Sequence, residues 1–372
     1  TGGLGSYTRL LVSNLAEIDS KNEYLLYLHQ WGMPDHEELE KILPKRKNFR
    51  LVWRRIPNSV SLFAEYKLGF GLTEFFLKND AGTVFHGPGN MVPAFKTIKS
   101  VVSIHHYLPV SHPLFSPNAR NARTRFYFSI TEKAARSATR VVATSENTKK
   151  DIIEQIGIPP EKVSVIYAGI QPAFRKLDSR ALPPALAGKL PGKYILFTGP
   201  LDERKNLPAF LAAFAAVKEK LAGYRVAITS NPSSLVAQAL SSLIEKLSLQ
   251  NDVVFLGEVS DEEMVLLFNR AQCLAYPSLL EGFGSPTLEA MACGCPVMAS
   301  NTSALPEITA GAALLFNPRE QGAIARSLLK ITGDEGVRRD LVARGFERIK
   351  RFSWRRMAED FLDTYRAVLT TE

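Results

Sequence analysis

The chain has 372 residues, of which 45% are apolar and 22% charged, and its formal net charge at pH 7 is +9. This balance is typical of a soluble globular protein and excludes a disordered or collagen-like chain, and the length favours two domains over one. No apolar run approaches the roughly 20 residues that span a bilayer, and nothing at the start resembles a signal peptide. Three cysteines are too few for a disulfide framework, so we expect a reducing, cytoplasmic location.

The positive charge is concentrated in the first part of the chain. Residues 1–170 contain 22 Lys and Arg against 15 Asp and Glu, whereas the remainder is nearly balanced. Such a bias favours a polyanion, an anionic membrane or a phosphorylated substrate as partner, although an ordinary basic surface explains it equally well. No nucleic-acid-binding module is recognisable, so we expect no nucleic-acid partner.

Short apolar runs alternate with amphipathic stretches along the chain. Gly2-Gly3-Leu4-Gly5 leads directly into a predicted helix, Thr8–Leu15. Continuous apolar runs of about five residues, bounded by turn residues, are typical of buried parallel strands. In the first half these predicted strands are Tyr24–Leu28, Thr83–His86, Val101–Ile104, Arg140–Ala143 and Val163–Tyr167.

Residues 171–192 interrupt this alternation, because they contain four prolines and show no periodicity, and we predict a linker there. The second half predicts five more strands and three helices. The strands are Tyr194–Thr198, Arg225–Thr229, Val253–Leu256, Cys273–Tyr276 and Pro296–Ala299, and the helices are Asp261–Arg270, Gln321–Ile331 and Trp354–Leu369. The alternation predicts an α/β protein with parallel sheets covered on both faces.

The N-terminal glycines are a candidate anion site, because glycine lets backbone N–H groups approach a ligand and a helix N-terminus favours anions. The pattern is not Gly-x-Gly-x-x-Gly and no strand precedes it, so a dinucleotide fingerprint is unsupported and a simple turn is an equal alternative. Because the glycines have no strand before them, we expect the first sheet to lack its first strand.

Two histidines, His105 and His106, directly follow the predicted strand Val101–Ile104. Histidines at a strand end are candidates for proton transfer or hydroxyl binding, with a structural role as the alternative. His86 also ends an apolar strand.

A loop with two adjacent cations follows the predicted strand Tyr194–Thr198. Residues 198–207 contain Gly199, Arg204 and Lys205, and open α/β sheets bind ligands at the carboxyl ends of their strands. Arg could bind a diphosphate through its planar fork and Lys as a point charge. A solvated pair at the start of the next helix is the alternative.

The segment Tyr276–Gly294 combines glycines with two carboxylates. Ser285 is the predicted N-cap of a helix that ends at Gly294, and Gly282 and Gly284 allow close approach of a ligand. Glu281 and Glu289 are candidates to accept hydrogen bonds from sugar hydroxyls. A retaining glycosidase pair is disfavoured, because eight residues of helix would separate the carboxylates by roughly 12 Å rather than about 5 Å.

Metal and cofactor ligands are not apparent. No Asp-x-Asp motif occurs, and Cys293-Gly294-Cys295 is two ligands short of a zinc site. We therefore expect neither a metal nor a cofactor.

These segments, in this order, resemble the family 4 glycosyltransferases. The resemblance covers nearly the whole chain and rests above all on Glu281-x7-Glu289 together with Arg204-Lys205. The other matching segments are Gly2–Gly5, Ser103–His106, Val142–Glu146, Val165–Ile170 and Gly199–Asn206. The chain looks most like bacterial mannosyltransferases of polysaccharide or O-antigen synthesis.

The resemblance implies a GT-B fold, with two Rossmann-like domains that face a cleft and a C-terminal helix that returns to the first domain. It assigns residues 1–170 to an acceptor-binding domain and 171–192 to the linker. Residues 193–352 would form the nucleotide-sugar-binding domain and 353–372 the returning helix.

The resemblance also implies a role for each site residue. Arg204 and Lys205 would neutralise the donor diphosphate, with Gly3 approaching it from the other domain. Glu289 would bind the ribose, and His105 the sugar's 6-hydroxyl. The sugar would contact Glu281 and residues of the following loop and helix, namely Phe283, Gly284, Ser285 and Thr287. His106 departs from the family, whose members usually have Asp or Glu there.

The implied activity is metal-independent transfer of a hexose with retention. The expected donor is GDP-mannose or a UDP-glucose type, and the acceptor a glycan or lipid-linked glycan. Two alternatives remain: a UDP-N-acetylglucosamine 2-epimerase of the same fold, and a non-catalytic nucleotide-sugar-binding or assembly subunit.

One further segment suggests contact with the inner face of the plasma membrane. Six cations precede a group of apolar residues, an arrangement that suits anionic headgroups. A solvated basic turn followed by a core helix is the alternative. The cations are Lys45, Arg46, Lys47, Arg50, Arg54 and Arg55, and the apolar residues are Leu62, Phe63, Tyr66, Phe70, Phe75 and Phe76.

Overall fold

The computed structural model describes residues 3–29, 43–66, 72–77, 82–93, 95–107, 122–178, 182–190, 192–230 and 234–370. Backbone contacts divide the chain into two compact units. The first unit consists of Thr1–Gly169 together with Phe352–Glu372, and the second of Ile170–Arg351. Residues 171–192, where we predicted a linker, fall in the second unit, and Pro184–Lys189 within them form a helix.

The first unit contains six described strands in two parallel sheets. The strands are β1 (Tyr24–His29), β2 (Phe49–Arg54), β3 (Val84–Gly87), β4 (Lys99–Ile104), β5 (Arg140–Ala143) and β6 (Val163–Val165). β1 pairs with β2, and the second sheet has the order β3-β4-β5-β6. Val101, Val102 and Ile104 of β4 are fully buried, as a strand covered on both faces requires.

Helices surround these sheets. They are α1 (Gly3–Ile18), α2 (Asn58–Tyr66), α3 (Leu72–Phe76), α4 (Ala122–Ser137) and α5 (Glu146–Asp151), the last continued by a π-helical turn, Ile152–Ile156. Helix α1 begins at Gly3 rather than at Thr8, so Gly3 and Gly5 lie in its first turn and not in a preceding loop. Its apolar face, which includes Leu11 and Leu15, supplies the burial that offsets the weak helix propensity of glycine.

The second unit contains one parallel sheet of six strands, in the order β12-β11-β10-β7-β8-β9. The strands are β7 (Lys193–Phe197), β8 (Tyr224–Ile228), β9 (Val253–Phe255), β10 (Cys273–Tyr276), β11 (Val297–Ser300) and β12 (Leu314–Phe316). The helices are α6 (Pro184–Lys189), α7 (Leu207–Ala215), α8 (Ser234–Lys246), α9 (Asp261–Arg270), α10 (Ser285–Ala292), α11 (Leu305–Thr309), α12 (Gln321–Gly333) and α13 (Glu335–Ile349). A core rich in aromatic side chains, among them Phe197, Phe210 and Phe214, joins the sheet to its helices.

The C-terminal helix α14 (Trp354–Thr370) belongs to the first unit, which confirms that the chain returns to its N-terminal part. Met357, Ala358 and Phe361 form its buried face. Gly169 lies against the start of this helix, and a Cβ at position 169 would be 2.3 Å from the Trp354 backbone nitrogen. Glycine at this position therefore allows the helix to pack.

All ten predicted strands are present, within one or two residues at their ends. Two strands were not predicted. β2 was overlooked because Arg50 and Arg54 interrupt its apolar pattern. β12 was overlooked although Leu314–Phe316 is a short apolar run like the other predicted strands. The prediction of two Rossmann-like α/β domains is confirmed.

Candidate functional site

The strand order of the second unit creates a topological switch point between β7 and β10. After β7 the chain continues to β8 on one side, and after β10 it continues to β11 on the other side. The loops after β7 and β10 therefore diverge, and a sheet with this strand order has a crevice at its carboxyl edge. The loop after β7 contains Arg204 and Lys205, and the loop after β10 contains Glu281. The backbone N–H of Leu279 donates to the Arg204 carbonyl oxygen (2.8 Å), which joins the two loops.

The loop after β7 has a defined backbone. Glu203–Lys205 form a 3-10 turn whose N-cap is Asp202, and the Asp202 carboxylate accepts a hydrogen bond from the Lys205 backbone N–H (3.2 Å). Asn206 adopts a left-handed conformation and starts α7. Gly199 has φ +112°, and a Cβ there would lie 2.9 Å from Cε of Lys205. Glycine is required at position 199 for both reasons.

Lys205 is the best-buried cation of the site. Its Nζ donates to Oη of Tyr276 (2.6 Å) and lies 2.7 Å from Oε1 of Glu281. The ammonium also lies 4.5 Å from the centroid of the Tyr276 ring. Three interactions therefore fix one ammonium group at the carboxyl end of β10.

Arg204 contacts the same carboxylate from a more exposed position. Its Nη1 lies 3.0 Å from Oε1 of Glu281 and donates to the Leu280 carbonyl oxygen (3.1 Å). Nη2 is 3.4 Å from the half-exposed carboxylate of Asp202. The arrangement leaves part of the guanidinium accessible to a ligand.

The cations control the ionisation of Glu281. Burial acts to raise the pKa of this carboxyl, but the Lys205 ammonium and the Arg204 guanidinium outweigh burial and leave the pKa below its ordinary value. Glu281 is therefore ionised at neutral pH. The trio of Lys205, Arg204 and Glu281, in which only Arg204 is partly exposed, sets two cationic groups against one buried carboxylate. The half-exposed Asp202 offsets part of the Arg204 charge.

Helix α10 begins beside this trio, and its start differs from the prediction. Gly284, with φ +87°, is the N-cap, and Ser285 is the first helical residue, so the prediction of Ser285 as N-cap was wrong. The Thr287 hydroxyl donates to the Gly284 carbonyl oxygen (2.8 Å). Leu305 packs so closely that a Cβ at position 284 would lie 2.6 Å from its Cδ2, which explains glycine there. Phe283 precedes this cap and is partly buried.

Glu289 lies one turn into α10. Burial raises its pKa to about 7, and the charge of Asp261 adds to the shift. Among the described residues, no hydrogen-bond donor or cation pairs with its carboxylate. Burial first, then the charge of Glu281, and more weakly that of Glu289 raise the pKa of Tyr276. The Tyr276 hydroxyl thus lies within electrostatic reach of both predicted carboxylates.

His105 lies in the first unit, at the end of β4. Its backbone N–H donates to Oδ1 of Asn90 (2.8 Å), and its ring Nε2 is 2.7 Å from the Pro88 carbonyl oxygen. A carbonyl only accepts, so Nε2 bears the proton and Nδ1 is left as an acceptor. Burial lowers the pKa of His105 despite the hydrogen bond to Pro88, so the ring is neutral at neutral pH.

The start of α1 lies beside the same loop. Leu4 packs against Gly89, where a Cβ would be 2.7 Å from Leu4 Cδ2, and the Tyr7 ring meets His105 edge-on at 4.5 Å. The structure therefore brings Gly3 and His105 into one part of the first unit, while Gly2 lies outside the described residues.

Sequence reasoning missed three residues that shape these sites. Tyr276 binds Lys205 from the end of β10, and Tyr7 packs on His105. The buried Asn90, in a left-handed conformation, binds the His105 backbone and donates from Nδ2 to the Tyr127 hydroxyl (2.9 Å). The only sequence signal for Asn90 is the Gly87-Pro88-Gly89-Asn90 turn that follows β3.

The described residues contain neither a cluster of metal ligands nor a membrane-spanning helix. Among them, no three side chains of His, Cys, Asp or Glu come close enough to bind a metal ion. No helix in this part of the chain is both long and apolar enough to cross a membrane.

Two protein families match the chain. The model described as glycosyltransferase family 4 matches residues 1–174, and the model described as glycosyl transferases group 1 matches residues 179–348. The two matches correspond to the two halves of the chain.

The chain is also similar to bacterial mannosyltransferases. It is 26% identical over 368 residues to O-antigen chain mannosyltransferase B of Escherichia coli, covering 98% of this chain and 96% of that protein. It is 29% identical over 279 residues to the serotype-specific mannosyltransferase WbdA of Escherichia coli, covering 73% of this chain but only 34% of WbdA. The chain thus matches about a third of WbdA.

Solved structures share the fold. Sucrose-phosphate synthase from Thermosynechococcus elongatus has a TM-score of 0.77 at 20% identity, covering 100% of this chain and 95% of that one. HepE from Anabaena, in complex with UDP and glucose, has a TM-score of 0.70 at 16% identity, covering 98% and 96%. These likenesses confirm the predicted GT-B fold.

Proposed function

The chain belongs to the family 4 glycosyltransferases, and we propose that it transfers a hexose, with mannose favoured, from a nucleotide-sugar donor to a glycan or lipid-linked acceptor with retention at the anomeric carbon. The observation that supports this best is the trio of Lys205, Arg204 and Glu281 at the switch point of the second unit. Its two cations share one carboxylate, and the guanidinium of Arg204 is partly exposed, which suits the diphosphate of such a donor.

The diphosphate, the ribose and the sugar of the donor each have a proposed partner in this unit. Arg204 and Lys205 neutralise the diphosphate, and Glu289 accepts hydrogen bonds from the ribose hydroxyls. Glu281 and the backbone of Phe283, Gly284 and Ser285 bind the sugar, supported by Thr287, whose hydroxyl donates to the Gly284 carbonyl and so maintains the helix start. From the first unit, we propose Gly3 as a further diphosphate-binding residue and Nδ1 of the neutral His105 as an acceptor for the sugar's 6-hydroxyl.

The chemistry of transfer places its largest charge on the leaving group. The bond between the anomeric carbon and the diphosphate oxygen breaks, and the acceptor oxygen forms its bond on the same face of the sugar. The acceptor proton passes to a phosphate oxygen, so no protein base is needed. Because negative charge grows on the diphosphate, cations already held in place by Glu281 and Tyr276 stabilise the transition state more than the ground state.

The identity of the donor is proposed from the relatives. O-antigen chain mannosyltransferase B and WbdA are named as mannosyltransferases, which favours GDP-mannose. HepE was solved with UDP and glucose, which makes a UDP-hexose the second candidate.

A lipid-linked acceptor would require access to a membrane, and we propose peripheral contact with an anionic bilayer through α2 and α3. Phe63 and Phe75 are 56% and 77% exposed, and the Arg54 guanidinium lies 5.4 Å from the Phe76 ring centroid. Exposed aromatic rings next to cations suit an anionic headgroup region. Of the residues predicted for this surface, Phe70 and the side chain of Leu62 lie outside the described residues. The prediction was wrong for Tyr66, which is buried in the core and cannot contact a membrane.

The decisive experiment combines binding with turnover. The protein is titrated calorimetrically with GDP-mannose, UDP-glucose, UDP-galactose and UDP-N-acetylglucosamine, and donor consumption is then assayed with and without lipid-linked acceptor. We expect GDP-mannose to bind and to be consumed when acceptor is present. No binding of any donor would support a non-catalytic subunit instead, and release of a 2-epimerised sugar would support the epimerase.

Membrane contact is tested separately by sedimentation with vesicles. We expect binding to vesicles that contain phosphatidylglycerol, little binding to pure phosphatidylcholine, and loss of binding in Phe75→Ser. The matched control is Leu369→Ser, which removes an exposed apolar residue from α14. Equal binding to both vesicle types would contradict the proposed contact.

A further inference from the structure

Four polar side chains from four elements form a continuous hydrogen-bonded row inside the first unit. Nδ1 of His86 in β3 is 2.7 Å from the Tyr365 hydroxyl of α14, and Nε2 is 2.8 Å from Oγ of Ser103 in β4. The Tyr7 hydroxyl of α1 donates to the same Ser103 Oγ (3.3 Å). The row therefore links the C-terminal helix to the N-terminal helix across the sheet.

The row ends at His105. Tyr7, whose hydroxyl is its last member, meets the His105 ring edge-on, with the ring planes at 81°. The same tyrosine is in the second turn of α1, whose Leu4 packs on Gly89. A shift of Tyr7 would consequently move both the His105 ring and the first turn of α1.

The direction of the hydrogen bonds follows from burial. Ser103 is fully buried and accepts from Tyr7, so its own proton needs an acceptor inside the protein. Of the described residues, His86 Nε2 alone offers one, which puts the His86 proton on Nδ1 and directs it to Tyr365. The Tyr365 hydroxyl then accepts from His86, and Tyr365, unlike Ser103, is not fully buried. The opposite direction would leave the Ser103 proton buried without a partner, which costs more.

Packing reinforces this arrangement. The His86 ring lies against Phe361 of α14, with centroids 4.7 Å apart, and is tilted against Tyr365. Burial lowers the pKa of His86 to about 3, so the ring stays neutral and the direction of the row does not change across the physiological pH range. Breaking a buried hydrogen bond of this row would leave a polar group without a partner, so the row joins α14 firmly to Tyr7.

We propose that Tyr365 is a positioning residue for His105, which acts through His86, Ser103 and Tyr7 to set the placement of the His105 ring. The proposal rests on the proposed role of His105 at the donor sugar. In this proposal, α14 helps to position a residue of the donor site in addition to packing against the sheet of the first unit.

The test is a double-mutant cycle. Tyr365→Phe removes one hydroxyl and Ser103→Ala another. We expect each to lower kcat about fivefold with the donor KM little changed, since the diphosphate cations are in the other unit. Because both substitutions break the same row, the kcat of the double variant should be no lower than that of the less active single variant. Multiplicative losses, or Tyr365→Phe with the wild-type kcat, would overturn the proposal.

A matched control is Tyr24→Phe, which removes a tyrosine hydroxyl that donates to Asp19 in the same unit (2.5 Å). Tyr24 lies close enough to Tyr365 to interact with it electrostatically, but its hydroxyl bonds to Asp19 and not to a member of the row. The control variant should keep the wild-type kcat. If Tyr24→Phe lowered kcat as much as Tyr365→Phe does, the effect would reflect a general loss of rigidity in this unit, and the proposal would fail.

Nuclear magnetic resonance of the histidine rings supplies a readout that does not depend on activity. We expect His86 to be protonated at Nδ1, and the His105 ring resonances to shift in Tyr365→Phe but not in Tyr24→Phe. An Nε2-protonated His86, or unmoved His105 resonances, would contradict the proposal. His105→Ala with full turnover would instead contradict the proposed function, while the resonance shifts would still stand.

Discussion

The ammonium of Lys205 lies 2.7 Å from the carboxylate of Glu281, although the two residues are 76 positions apart in the chain. Both side chains are more than nine-tenths buried, so solvent screens their charges only weakly. Lys205 and Arg204 share this one carboxylate. The two cations can therefore interact favourably with a further anion such as a diphosphate. This relationship underlies the first predictions.

Loss of either cation should slow the transfer. We expect Arg204→Ala and Lys205→Ala each to lower turnover at least tenfold, which raises the activation free energy by about 1.4 kcal/mol. Each substitution removes a cation that stabilises the negative charge developing on the leaving diphosphate. Steady-state kinetics measure this. The control is Arg344→Ala, which breaks an exposed pair with Asp340 in the same unit and should leave turnover unchanged. Near wild-type kinetics in both site variants would remove the diphosphate contact from the proposed function.

Gly199 should be required for the placement of Lys205. An added Cβ would lie 2.9 Å from Lys205 Cε and 3.1 Å from Nζ, so Gly199→Ala should displace the ammonium and lower turnover about tenfold. Gly223→Ala is a matched control, because its φ of +82° gives similar backbone strain and no atom lies within 4 Å of the new Cβ. Both variants should lose about 1 kcal/mol of stability. Equal turnover in the two variants would show that Lys205 tolerates displacement.

Much of the fold could be predicted because its strands are continuous apolar runs. β5 and β10 begin and end at the predicted residues, and the two loops with Arg204 and Glu281 were correctly placed at strand ends. The pairing of Lys205 with Tyr276 could not be predicted, since no local pattern encodes which distant side chains meet. The same holds for Asn90 and Tyr7. The N-cap at Gly284 was missed because the prediction relied on the capping side chain of Ser285, whereas the helix starts from the left-handed backbone of Gly284 without any side-chain cap.

Donor affinity should depend on pH through Glu289. Burial raises the pKa of Glu289 to about 7, so its carboxyl is mostly protonated at pH 6 and mostly ionised at pH 8. The ionised form accepts hydrogen bonds from both ribose hydroxyls, and affinity should therefore rise about tenfold between these pH values. Calorimetric titration with GDP-mannose across this range measures the effect. Glu289→Gln should bind more weakly at pH 8 and lose the pH dependence, and an unchanged slope in that variant would contradict the assignment.

Removal of divalent metal should leave turnover unchanged. Arg204 and Lys205 are proposed to neutralise the diphosphate, which Mg²⁺ held by carboxylates could otherwise do, and this chain has no Asp-x-Asp motif to bind such an ion. Initial rates are compared in EDTA and in added Mg²⁺. A loss in EDTA that Mg²⁺ restores would contradict this expectation, while leaving the contact of Arg204 with the diphosphate open to the kinetic test above.

Glu281 should be required for stability as well as for sugar binding. Glu281→Gln leaves Lys205 buried without its counterion, and removal of one partner of such a pair costs about 3 kcal/mol. Because the cations lower the pKa of Glu281, its contribution is fully present above the ordinary value of 4.5 and is lost as the pH falls through the lower pKa of the folded state. Urea unfolding of the wild type and the variant should therefore differ at pH 7 and converge in acid. Glu347→Gln, which breaks an exposed pair with Lys350, should cost less than about 1 kcal/mol at any pH. If the two variants were equally stable at pH 7, the trio would contribute nothing to the fold, and Lys205 would have to be stabilised by Tyr276 alone.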